Sequence, residues 1–351
     1  MMNGPFTVRR PRVRDLAARV ESKVLPLCTR RTREVGTLLP ELYLHGLSTG
    51  DFDLARRGLL GEGVPLSARS LQRRKARFEL EYEAWKTRDL SARDIVYGWA
   101  DGVYVTAGLE DRKRARLTIV GARATGEKVV LACERGERAS KERWLKLLRD
   151  LKHRGLTFPR LTVTDGHLGL WAALGEIHPT GETQRCWNHK ITNVLDDLPK
   201  KAQPKAGERL KAIPYAETQA DCERRRDEFV RTYRRTEEKA VDTLLRNWER
   251  MVTFSAVPQE PWRHLRTTNI VESPFSSVRV RTNASRRYKR VEGATAIIWK
   301  MLQVAEKSGR KLNAPELLPL VASGVTLNDG VMTKSGRVES DVHHQPERTA
   351  A

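Results

Sequence analysis

Residues 94–108 read DIVYGWADGVYVTAG, a run of β-branched and aromatic residues broken by one acid, Asp101, and the glycine after it. That composition predicts a strand pair or one long bent strand. Working outward, RARLTIVGARA (114–124) and KVVLACERG (128–136) predict two more strands, separated by a turn at Thr125–Gly126. SKERWLKLLRDLKHRG (140–155) predicts a helix capped by Ser140 and stopped at Gly155. RLTVTDG (160–166) is a short buried strand ending at Asp165, HLGLWAALGEIHP (167–179) a helix, and TQRCWNHK (183–190) a further strand. Three consecutive strands, then helix, strand, helix and strand, imply an α/β fold with a sheet of mixed pairing.

The flanks differ. Residues 191–260 are charged, carry Leu and Ala, and are punctuated by Pro199, Pro204 and Pro214. They predict helices that interrupt the sheet domain. Residues 261–331 resume it, with one helix around Glu272 and another over Ala294–Lys307, and residues 332–351 form a loose polar tail. Residues 31–86 read as helical: two short helices, a turn, and a third helix that Ser67 would cap and that Arg73, Arg74, Lys75 and Arg77 make basic. That order suits a helix-turn-helix reader of DNA. It suits a packing helix with a solvated basic face equally well. The expected organisation is a helical region over 1–90, a sheet domain over 91–190 and 261–331, and an all-helical insertion over 191–260.

Lys and Arg number 65 against 44 Asp and Glu, a net charge of +21 in 351 residues, with an isoelectric point near 10.2. A polyanionic partner follows, nucleic acid first, because neutralising phosphates releases their counterions. Hydrophobic residues make up 39 %, too many for a disordered chain. Cys28, Cys133, Cys186 and Cys222 form no CxxC pair, so no disulfide framework is expected. No apolar run approaches the roughly 20 residues that span a bilayer, and the opening MMNGPFTVRRPRVR lacks a signal-peptide core. The expectation is a cytoplasmic protein with no membrane partner.

Asp101 and Asp165 each precede a glycine. Either one alone reads as well as a turn former. An acid at a buried strand is costly unless paired or bound to metal, and strand ends open onto the crevice where α/β sheets bind ligands. Glu272, in HLRTTNIVESPFSSVRVRT, supplies a third acid. Asn269 could cap its helix, although Pro274 suggests that the helix begins near the proline. Arg279 lies two turns further along the same face. Three carboxylates beside a phosphodiester match phosphoryl transfer assisted by two divalent metal ions, for which Mg2+ is suited. The run VRVRTNASRRYKR (278–290) carries Arg279, Arg281, Arg286, Arg287, Lys289 and Arg290 without an acid, a stretch suited to tracking phosphates, with Tyr288 available for stacking.

The chain resembles the bacterial Mutator-type transposases encoded by insertion sequences. The matching stretches include LLPELYLHGLSTGDF (38–52), RDLSARDIVYGWADGVYVTAGLED (88–111), LRDLKHRGLTFPRLTVTDGHLGLWAAL (148–174), QRCWNHK (184–190), NVLDDLPKKAQP (193–204), WRHLRTTNIVESPFSSVRVRT (262–282) and KRVEGATAIIWKMLQVAEK (289–307). They are long and in order, from about residue 28 to about residue 331. The resemblance implies a ribonuclease-H-like core of the DDE type, with Asp101 in the DGxY motif, Asp165 in the second DG and Glu272 in TTNxxES as catalytic and metal-binding residues. It implies Mg2+, with Mn2+ as a substitute, terminal inverted repeats and target DNA as partners, and at least a dimer on DNA. It also implies a C-x2-H motif, here Cys186 and His189. A structural zinc site needs four ligands and no second close pair is visible, so a structural or DNA-positioning role near the acids is the expectation for these two. Many family members carry a longer helical region before FTVRRPRVR, so recognition of the repeats is expected to be weakened here.

Two other classes fit parts of this pattern. One is a ribonuclease-H-like nuclease for junctions or hybrids, which would give no strand-transfer product. The other is a DNA-binding repressor derived from a transposase, against which the three intact acids argue. No HExxH or Cys–His–Asn arrangement supports a zinc hydrolase or a cysteine nucleophile.

Overall fold

The computed structural model of the chain describes residues 68–106, 113–136, 140–284, 291–325 and 327–332. The expected first two helices, Ser67 and the tail beyond Met332 lie outside the described residues. The third helix is present as α1 (Ala68–Lys86). Its Phe78 and Tyr82 are buried in the main core, and Trp85 packs beside them.

The stretch that opened the reading is one strand, β1 (Ile95–Thr106), with a register irregularity between Ile95 and Tyr97. β2 (Lys113–Arg123) and β3 (Lys128–Gly136) follow it antiparallel, joined by a turn in which Gly126 takes φ +80°. α2 (Lys141–His153) begins at Ser140, whose side chain accepts from the Arg143 amide, and Gly155 after it takes φ +86°. Then come β4 (Leu161–Thr164), α3 (Leu168–Ile177) and β5 (Glu182–Arg185). The five strands lie in the order β3-β2-β1-β4-β5, with β4 and β5 parallel to β1. This is the mixed sheet expected from the sequence.

Both faces of the sheet are covered, so its strands are buried on two sides. Ala100, Leu117, Ile119 and Leu131 meet Trp144, Leu148 and Leu151 of α2 and Leu170 and Leu174 of α3. Tyr97, Trp99, Val103 and Val120 face the other way, into a larger cluster. That cluster takes in α9 (Asn269–Ala284) and α10 (Val291–Ser308), and it continues without a break into the helices between them and β5.

The segment 183–190 departs from the strand expected of it. β5 ends at Arg185, and α4 (Trp187–Asp196) starts two residues on. Trp187, Lys190, Ile191 and Val194 are its buried residues, a helical stripe that the alternation of TQRC had masked. The Trp187 indole N–H and the Gln184 amide both donate to the Met251 carbonyl, at 2.8 and 3.0 Å, pinning this strand-to-helix switch from below. Downstream come α5 (Gln203–Ala212), α6 (Gln219–Tyr233), α7 (Glu238–Leu245) and α8 (Trp262–Leu265), with short 3-10 turns between α5 and α6 and between α7 and α8, and no strand among the described residues of 187–265. α11 (Leu318–Ala322) and a small hairpin of β6 (Leu327–Asn328) and β7 (Val331–Met332) complete the described chain. Among the described residues no helix is long and apolar enough to cross a membrane.

His178, at the end of α3, stacks on Phe158 at 5.9 Å, and its burial lowers its pKa below the usual 6.5. Below that value the unfolded chain takes up a proton that the folded chain refuses, so this residue withdraws stability as pH falls through 6.5. Comparing wild type with His178→Phe by denaturant unfolding from about pH 7.5 to about pH 5.5 should show the wild type losing stability relative to the variant. Parallel curves would refute this.

Candidate active site

Strand register brings the first two acids together. Ala100 of β1 pairs with Thr164 of β4, and Thr164 pairs with Arg185 of β5. One residue further along each strand stand Asp101, Asp165 and Cys186. Neighbouring strands lie about 4.8 Å apart, so the three form a row across three parallel strands, level with the carboxyl ends of β4 and β5 and midway along β1. Asp101 shares the face of Trp99 and Val103, which looks toward α9.

α9 delivers the third acid. Val271, Phe275 and Val278 are its buried stripe, and Glu272 is one position past Val271, at the rim. The helix starts at Asn269, and Pro274 lies inside it. This corrects the expectation that it begins near the proline. The Asn269 side chain accepts from the Asn188 amide at 3.1 Å. Thr268 provides the helix start instead: its carbonyl receives the Val271 and Glu272 amides. Trp99 donates its indole N–H to the His264 carbonyl at 2.9 Å, fixing the approach to α9 over β1.

The electrostatics of this cluster are under strain. Asp101 is 6 % exposed. Burial, then the neighbouring Asp165, push its pKa up to about 7, with Glu272 adding to the rise while His189 and the Gly102 amide oppose it. Asp165 is half-buried, and its Oδ1 accepts the His167 amide at 2.9 Å. His189 is raised to about 9, first by its hydrogen bond to Cys186, then against burial by the charges of Cys186, Asp101 and Glu272.

Thr268, fully buried, is the hub that sequence reasoning missed. Its amide donates to Cys186 Sγ at 3.3 Å, and its hydroxyl, with one proton to give, stands 3.3 Å from that sulfur, 3.5 Å from His189 Nδ1 and within hydrogen-bond reach of Glu272. Its only local signal is its place immediately before a helix, a capping position. Arg185 was missed as well. It ends β5 almost wholly buried, and burial lowers its pKa while the charge of Asp165 opposes this. Beside it, a cavity of about 370 Å³ lined by Gly166, Leu168, Arg185, Asn193 and Arg246 opens next to Asp165.

The basic residues are less completely placed. Arg77 is exposed and paired with Glu81 at 2.9 Å. Arg73, Arg74 and Lys75 lie on α1 and Arg281 on α9, but their side chains are outside the described residues. Arg279 is exposed on α9, and Arg286, Arg287, Lys289 and Arg290 lie outside the described residues.

The family model described as "Transposase, Mutator family" matches residues 3–307. The chain is 40 % identical over 293 residues to the transposase for insertion sequence element IS6120 of Mycolicibacterium smegmatis, covering 84 % of this chain and 91 % of that one. It is 38 % identical over 275 residues to the transposase for IST2 of Acidithiobacillus ferrooxidans, covering 78 % and 93 %. It is 28 % identical over 302 residues to the transposase for ISRM5 of Rhizobium meliloti, covering 84 % and 73 %. On these matches the chain belongs to the Mutator family of transposases, enzymes that cleave and transfer DNA.

Proposed function

We propose that the sheet is a ribonuclease-H-like core and that Asp101, Asp165 and Glu272 form a DDE triad for cleavage and strand transfer at insertion-sequence ends. The observation that carries this reading is the buried Asp101, whose ionisation both Asp165 and Glu272 oppose. The strand order β3-β2-β1-β4-β5, with two parallel strands after three antiparallel ones, supports the core assignment. The helical stretch 191–260 is read as the insertion, and the basic residues of α1 and of 278–290 as DNA contacts.

The donor set fits divalent metal. Burial, Asp165 and Glu272 raise the cost of ionising Asp101, and a hard cation that favours oxygen ligands offsets it. Two Mg2+ ions, when bound, would supply the Lewis acidity that activates the attacking oxygen and stabilises the leaving one. The protein's own share is positional. β1 and β4 hold Asp101 and Asp165 in register, Thr268 orients Glu272, and Arg279 stands two turns along α9 to meet phosphate. The substrate phosphodiester is hydrolysed at the element end, and the freed 3′-hydroxyl then attacks target DNA. Two element ends require at least two protomers.

The test is a plasmid assay with the element ends and Mg2+. Wild type should give nicked and strand-transferred products. Asp165→Ala and Glu272→Ala should give neither while still binding DNA. Cleavage retained by either variant would remove that residue from the triad, and nicks without joined products would favour a nuclease. Thr268→Val keeps the shape and removes the hydroxyl. It should lower the cleavage rate about 10- to 100-fold, the usual effect of losing a group that orients a metal ligand. A rate unchanged in Thr268→Val would show that Glu272 needs no such support.

A further inference from the structure

We propose that Cys186, His189 and Glu272 form a second cation site, one that takes a thiophilic divalent metal of the zinc class and shares Glu272 with the carboxylate pair. One ligand atom from each of the three lies within 4.8 Å of the other two. Sulfur, imidazole nitrogen and carboxylate oxygen together suit Zn2+, Co2+ or Cd2+, whereas Mg2+ prefers oxygen alone. Spacing in the sequence showed only Cys186 and His189. The fold supplies the third ligand from a helix more than eighty positions away. Three protein ligands leave a fourth position for water, the pattern of open rather than closed zinc sites.

The surroundings fit a metal-bound sulfur. The Thr268 amide donates to Cys186 Sγ from 3.3 Å, and the Thr268 hydroxyl stands at the same distance from that sulfur. Thr268 Oγ1 also lies 3.5 Å from His189 Nδ1, the kind of outer contact that orients a ligating imidazole. Binding replaces the proton on Cys186 Sγ and the extra proton on the His189 ring with bonds to the metal and sends both protons to solvent, with no change of oxidation state. When this site is filled, Glu272 is withdrawn from Asp101 and Asp165. That consequence rests on the catalytic reading above, while the binding itself does not.

The experiment uses the full chain, free of DNA, titrated with Co2+ and followed by absorption. One equivalent should produce a near-ultraviolet sulfur-to-cobalt charge-transfer band and the visible bands of a tetrahedral ion. Zn2+ should abolish both, and a roughly hundredfold excess of Mg2+ should leave them. Cys186→Ser should lose the charge-transfer band, and a Cys133→Ser control should keep it. His189→Gln and Glu272→Gln, both expected to retain the native circular dichroism, should keep the charge-transfer band and lose the tetrahedral visible bands. No sulfur band in the wild type, or a band that survives in Cys186→Ser, overturns the site. Because the readout is spectroscopic, a failure of the triad in the plasmid assay leaves this result independent.

Discussion

Asp101→Asn is expected to lower strand cleavage about 10³-fold or more, the upper part of the range for removing one preorganised electrostatic group, while making the metal-free protein more stable. The two effects have one cause. Asp101 is buried beside Asp165 and Glu272, with His189 as the opposing charge. A buried carboxylate without full compensation costs folding free energy, and an amide of the same shape removes that cost. The gain in EDTA should be on the order of 1–3 kcal/mol. Mg2+ should reverse the ranking. A ligand at about 100 times its dissociation constant stabilises the folded state by about 2.7 kcal/mol, and only the wild type retains the full ligand set. Thermal unfolding with and without Mg2+ reads both arms. A variant that cleaves normally, or that is less stable than wild type in EDTA, refutes the account.

Gly166→Ala is expected to be nearly as damaging to activity and also to reduce stability. Gly166 takes φ +98°, where L side chains are strained. A Cβ there would lie 2.5 Å from Arg185 Nε and 3.1 Å from its Cδ and Cζ. Arg185 is buried, so it has little room to yield. Strain and displacement together should cost on the order of 2–4 kcal/mol. The residue before it is Asp165, whose Oδ1 is held by the His167 amide across this turn. A shift near 1 Å at a reacting group is worth about 10² in rate. Folded Gly166→Ala, assayed below its own melting temperature, should therefore cleave about 10²-fold more slowly. Full activity in the folded variant would mean that the turn does not set the position of Asp165.

The parts of this structure that were legible in the sequence are those with local causes. β1, β2 and β3 announce themselves through Val, Ile and aromatic residues, and α2 through Ser140 and Gly155. Asp101 and Asp165 stand out because each interrupts or ends an apolar run. The errors arose where a tertiary partner overrides the local signal. TQRC alternates like a strand, but Met251 holds Trp187 and Gln184 so that the chain turns helical at once. Pro274 reads as a helix start, yet Thr268 has already begun the helix. Thr268 joins Cys186, His189 and Glu272 across about eighty residues, and no spacing rule reaches that far.

The hydrogen bond from Trp99 to His264 spans 165 positions, and it sets a schedule for synthesis. β1 and β4 leave the ribosome well before α9 exists. At 5–20 residues per second the interval between Asp165 and Glu272 is roughly 5–20 s. Through that interval the nascent chain carries two of its acids and much of its positive charge. The three acids cannot meet until Glu272 has been made.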